Sequence, residues 1–150
     1  MPTSTTQTRK TKYRWLHTAL YTFVILLLLI VLLIPGVLRL IYRADSQVAL
    51  GNAKSVRVAF QVIGTEEYGR NGTLCDVSQT GGVREGLYEE IIKLSKVPGD
   101  FWVLQTDETG YKIQKFVYIE GEYTVWYDAT DDSPYKVYHE ETLIDTQTDW

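Results

Sequence analysis

The sequence predicts an α+β fold: an N-terminal transmembrane helix that continues into an amphipathic helix, packed on a small antiparallel β-meander of three to four strands. Three observations lead there. Residues 16–38 carry no formal charge at neutral pH, and 23–34 are apolar throughout. Beyond them, apolar residues recur at three- to four-residue steps as far as Ile63. After Gly99 the pattern changes to short β-branched and aromatic runs separated by tight turns.

The 23-residue run at 16–38 would form a helix roughly 34 Å long, enough to cross the hydrocarbon core of a bilayer. A buried helix in a small soluble domain keeps a polar side, and this one has none over its centre. Arg9, Lys10, Lys12 and Arg14 precede it, and acidic residues begin only at Asp45, so the basic end should stay in the cytoplasm. Arg39 and Arg43 on the far side reduce that contrast without reversing it. The competing reading is a cleaved signal peptide; the run is longer than a signal core, and those two arginines follow it directly. Either reading exports the rest of the chain.

Charge separates the two parts. Residues 1–44 hold six basic residues and no acid, whereas 45–150 hold nine basic and nineteen acidic residues, a formal charge of −10. A body that acidic repels phosphate backbones, so the expected partner is the lipid bilayer and not nucleic acid. Cys75 is the only cysteine and lies far from the apolar run, which leaves no intrachain disulfide and suggests a buried, inert thiol.

Taken in order, residues 1–15 read as a basic cytoplasmic tail and 16–41 as the membrane anchor. Pro35-Gly36 should kink the helix near its outer end, because proline removes a donor and crowds the preceding turn. Leu38, Ile41, Ala49, Ala53, Val56, Ala59 or Phe60, and Ile63 then give one apolar face, for a helix of about 45–50 residues in all. Residues 64–82, with five glycines, read as an irregular loop. A second helix is expected over 83–96, with a stripe of Val83, Leu87, Ile91 and Leu94 and a stop at Pro98-Gly99. Strands follow at 101–106, 111–119 and 123–128, with an edge strand at 135–139. The short gaps make them antiparallel in chain order. Residues 42–139 form the exported domain, and 140–150 read as a polar tail.

This order of elements resembles that of the type IV pilins and the pseudopilins of type II secretion systems. Their subunits pair a long N-terminal helix with a small antiparallel sheet. Residues 23–38, FVILLLLIVLLIPGVL, are similar to the pilin start FTLIELLIVIAIIGIL, with Phe23 at the mature N-terminus and Gly36 on the motif's glycine. Two departures stand out: Thr22 replaces the glycine before the cleavage point, and Leu27 replaces the docking glutamate. The resemblance implies a structural or assembly protein whose helix, including Phe23, Leu27, Pro35 and Gly36, self-associates or packs with other pilin-like subunits. The alternative is a single-pass anchored binding domain that presents sheet aromatics to a glycan or protein partner, with Trp102, Tyr118 and Trp126 as the platform.

No catalytic residues and no cofactor are expected. His17 and His139 are the only histidines, and no cysteine–histidine spacing fits zinc. Glu66-Glu67, Glu89-Glu90 and Glu140-Glu141 read as solvated surface. Asp128, Asp131 and Asp132 supply the one cluster of oxygens that a calcium ion could use, though it lacks EF-hand spacing and also reads as a hairpin turn.

Cutting at Thr22 would leave 23–38, about 24 Å of helix, which is short for a bilayer. The basic tail is therefore expected to be retained. Protease added to intact spheroplasts should digest the body and leave a protected fragment that mass analysis shows to include residues 1–15. A protected full-length chain would reverse the orientation, and a fragment beginning at Phe23 would restore the ordinary pilin route.

Overall fold

The computed structural model describes residues 7–144, and side chains from Arg14 onward. Helix α1 spans Gln7–Arg70, and α2 spans Leu87–Ser95. Five strands follow: β1 Asp100–Thr106, β2 Ile113–Glu120, β3 Tyr123–Asp128, β4 Tyr135–His139 and β5 Thr142–Ile144. They form one antiparallel sheet in chain order. The fold class is α+β, as the periodicities require. Two compact units divide between Ile41 and Tyr42.

In the first unit, α1 is long and apolar enough to cross a membrane. Its side chains over 23–34 are 48–69 % exposed, so none of them has found a partner within the protein. The hydroxyls of Thr18 and Thr22 donate to the carbonyls of Arg14 and Thr18, each at 2.9 Å. That bond satisfies each hydroxyl within its own helix, as an apolar surrounding demands. The helix runs through Pro35 and Gly36 without interruption.

In the second unit, α1 lays one stripe on the sheet. Ala49, Ala53, Val56, Phe60 and Ile63 are all buried, at alternating four- and three-residue steps. Small residues at 49, 53 and 59 let the backbone approach, and Phe60 fills the space between Phe101 and Phe116, with ring centroids 5.0 and 5.5 Å away. The sheet answers with Phe101, Val103, Phe116, Tyr118, Val125, Tyr127 and Val137, and α2 adds Leu87 and Ile91. Full burial of Val56, Phe60 and Ile63 contributes about 1.5–3 kcal/mol each.

Four expectations need correction. The helix passes through the predicted 64–82 loop as far as Arg70, because Gly64 serves a close approach: a Cβ there would collide with the carbonyl oxygen of Tyr111. Asn71, at φ 52°, then ends it, with the Gly72 amide donating to the Glu67 carbonyl at 2.9 Å. The second helix begins at Leu87 and not at 83, since Val83 pairs with Cys75 in an isolated antiparallel bridge; Leu94 is exposed. The sheet has five strands, because Thr142–Ile144 turns back along β4 through a hairpin at Glu140, φ 52°. That strand takes part of the predicted polar tail; residues 145–150 lie outside the described ones. Tyr118, expected on an exposed platform, is fully buried.

Gly82 packs against the backbone of β1, where a Cβ would lie 2.6 Å from the Val103 oxygen and 3.3 Å from its nitrogen. The short 3-10 turn Thr80–Gly82 therefore runs beside the free side of β1.

Val56→Asp would place a charge where the residue is fully buried, and should destabilise the full chain in detergent by about 3 kcal/mol or more. Val58→Asp, at an exposed position two residues on, should stay within about 0.5 kcal/mol. Equal melting of the two variants by near-ultraviolet circular dichroism would disprove the packing of this stripe on the sheet.

Candidate functional site

Antiparallel pairing fixes which side chains share the face of the sheet turned away from α1. Trp102 pairs with Val117, Val117 with Trp126, and Trp126 with Lys136, so these four lie in one row across β1 to β4. Trp102 and Trp126 are 42 % and 46 % exposed. The next row runs Asp100, Ile119, Thr124, Tyr138 and Leu143, of which Ile119 and Leu143 are also exposed. Two of the three predicted platform residues are thus together and open to solvent.

Tyr118 is not. It sits one residue from Val117 and points the other way, as successive strand residues must, and it is fully buried under α1. Its hydroxyl donates to Glu120 Oε2 at 2.8 Å and accepts from the Gly99 amide at 3.1 Å, while Asn52 Nδ2 on α1 donates to the same Glu120 oxygen at 2.7 Å. Burial, reinforced by the Glu120 carboxylate, holds the Tyr118 phenol well above its ordinary pKa. Tyr118 therefore ties the helix to the sheet.

Asp128, Asp131 and Asp132 fall at the β3–β4 turn. Lys115 lies 2.7 Å from Asp128 Oδ2, and the Thr130 amide and hydroxyl donate to Asp128 Oδ1 at 2.9 and 2.6 Å. The bond from Lys115, followed by those from Thr130, holds the Asp128 carboxyl far below the usual range, so it is ionised at any physiological pH. Lys136 Nζ sits 2.5 Å from Asp131 Oδ2, and the Ser133 amide donates to the other oxygen at 3.3 Å. Two of the three carboxylates thus face ammonium groups and not one another. Among the described residues, no three His, Cys, Asp or Glu side chains converge. A recess of about 300 Å³ lies here, bordered by Leu104, Lys115, Trp126, Asp128, Lys136 and Tyr138.

A larger groove of about 660 Å³ lies between the last turns of α1 and the β1–β2 and β3–β4 loops, with Arg57, Phe60, Tyr68, Tyr111 and Tyr127 on its walls. Two of its charged groups are already engaged. Arg57 lies over the Tyr127 ring at 4.9 Å, and Asp107 accepts from Thr109 Oγ1 and from the Lys112 amide. The Tyr111 hydroxyl donates to the Gly72 carbonyl at 2.8 Å and so fixes the far wall.

Along the apolar part of α1, Phe23 and Leu27 are 61 % and 52 % exposed, and a Cβ at Gly36 would meet nothing within 4 Å. Cys75 is half-buried, and burial pushes its thiol up to about 11, consistent with an unreactive structural cysteine.

Glu67 is the residue that sequence reasoning misplaced. Extension of α1 to Arg70 puts it on the buried stripe, four residues beyond Ile63, and it is 2 % exposed. Arg84 meets its Oε2 at 2.5 Å, and Arg70 lies 3.5 Å from Oε1. Arg84 also donates from Nε to the Thr73 carbonyl at 3.1 Å, which fastens the irregular 71–86 segment to the helix. The exposed partner Glu66 fits the solvated reading; Glu67 does not.

Comparison with protein-family models, with characterised proteins and with solved structures returns no match for this chain.

Loss of Arg84 would leave a buried carboxylate with only its weaker neighbour. Arg84→Ala should destabilise the domain by about 1–3 kcal/mol, discounted for the exposed end of the arginine. Arg70→Ala, at a side chain 67 % exposed, should cost less than about 0.5 kcal/mol. Matching losses of thermal midpoint for the two variants would refute this assignment of roles.

Proposed function

We propose that this chain is a single-pass membrane protein of pilin-like kind, a non-catalytic structural or assembly subunit. In this reading the basic N-terminal tail stays in the cytoplasm and the helix-and-sheet domain lies outside the cytoplasmic membrane. The observation that carries it is the run of unpartnered apolar side chains over 23–34 of α1, about half of whose surface is left for lipid or for other helices. A helix needed only as an anchor would be satisfied by lipid alone. Here the same helix also supplies the apolar stripe on which the sheet is built.

Leu27 at the docking position gives helix contacts here an apolar character. Packing in lipid then rests on van der Waals fit, with Gly36 allowing close approach where a Cβ would meet nothing. The lack of a charged pairing group also permits association without a partner-specific ion pair.

Photocrosslinkers placed one at a time at positions 23, 27, 30 and 36 in growing cells test the reading. Homo-oligomer ladders are expected at 23, 27 and 30, which share one helical face, and position 36 probes the opposite face. Crosslinks to lipid alone at all four positions would sink self-assembly and leave a monomeric anchored domain.

A further inference from the structure

The recess beside Trp126 and the row that joins it to Trp102 form a surface that self-assembly through α1 does not use. Its chemistry is specific. One wall is the indole of Trp126, half open to solvent and flat. Beside it stand two lysine–aspartate pairs, Lys115–Asp128 and Lys136–Asp131, whose charges cancel one by one. The phenol of Tyr138 borders the same recess. Two strands away in the same row stands Trp102, its Cα about 9.5 Å from that of Trp126 by the regular separation of strands, with its indole nitrogen toward Gly82 on the free side of β1.

We infer that this outer face is a binding site for a neutral oligosaccharide. A pyranose ring has an apolar C–H face that stacks on an indole and an equatorial rim of hydroxyls that both donate and accept. The recess matches both halves: Trp126 offers the stacking surface, the lysine ammoniums have donors beyond those used on Asp128 and Asp131, and the carboxylates retain acceptor lone pairs. A chain of three or four sugars is long enough to run along the row from Trp126 to Trp102.

Charge selects among rivals. Because the pairs are neutralised, the recess holds no net charge for a small ion, and the −10 of residues 45–150 repels acidic polysaccharides and nucleic acids. A protein partner is a poorer fit, since the centres of protein interfaces are depleted in charged groups, whereas here four charged side chains surround the better-formed half of the site. The site stands whether or not α1 self-associates.

The test uses the full chain in a zwitterionic detergent free of sugar headgroups, titrated calorimetrically with tetra-N-acetylchitotetraose and with cellotetraose. Saturable binding of at least one is expected, weakened about tenfold by Trp126→Ala and partly restored in Trp126→Tyr. Trp102→Ala should weaken the tetrasaccharide but leave the corresponding disaccharide unchanged, and this length dependence decides the matter even if Trp126→Ala fails to fold. No saturable binding of either probe at millimolar concentration overturns the inference, as does affinity indifferent to both tryptophans. Equal binding of polygalacturonate would overturn the selection for neutral chains. Loss of self-association in Trp126→Ala without saccharide binding would assign the face to a protein contact instead.

Discussion

A five-stranded open sheet with one apolar face has to bury that face, and everything in the second unit follows from the need to cover it. The cover is the stripe Ala49, Ala53, Val56, Phe60 and Ile63 of α1. Phe60 is its centre: it meets Phe101 on β1 and Phe116 on β2, and Ala49, Ala53 and Ala59 let the helix sit close. Polar groups at the margins are tied off in turn. Asn52 and Tyr118 converge on one Glu120 oxygen at one place, and Glu67 holds Arg84 at another. Each of these joins α1 to something that is not a helix, so registry between helix and sheet is specified by hydrogen bonds as well as by shape.

The covered face also decides the character of the opposite one. Strand residues alternate, so once Phe116, Tyr118, Val125 and Tyr127 are committed inward, Val117, Trp126 and their row must face out. The exposed indoles are therefore placed by the packing of the core. Their neighbours are held by different means: Asp128 and Asp131 are fixed by lysines and by the backbone of their own turn.

The sequence made some of this plain and hid the rest for physical reasons. The apolar run, the stripe through Ile63 and four strand positions follow from periods of 3.6 and 2, which local spacing records directly. The end of α1 does not. Gly64 and Gly69 look like loop residues, yet Gly64 lies inside a helix because Tyr111, distant in the chain, passes too close for a side chain. Missing those two turns of helix turned Glu67 into a surface residue on paper, since its burial depends on a phase that only the extended helix carries. Tyr118 was misread for a smaller reason. Aromatic content marks a strand without saying which way a given ring points, and the alternation around it had to be anchored by the register with β3. The fifth strand was missed because three residues, Thr142–Ile144, carry too little pattern to be told from a tail.

The two edges of the sheet are unlike. Along β1 the backbone is shielded by Gly82 and its 3-10 turn, so a foreign strand cannot settle there without displacing that turn. Along β5 no described residue pairs on the outer side, and only three residues of strand are available. A sheet that can be extended on one side alone can join at most one copy of itself edge to edge, after which no template remains. Ribbon-like growth by edge-to-edge pairing, of the kind that leads to amyloid, is closed off by this asymmetry.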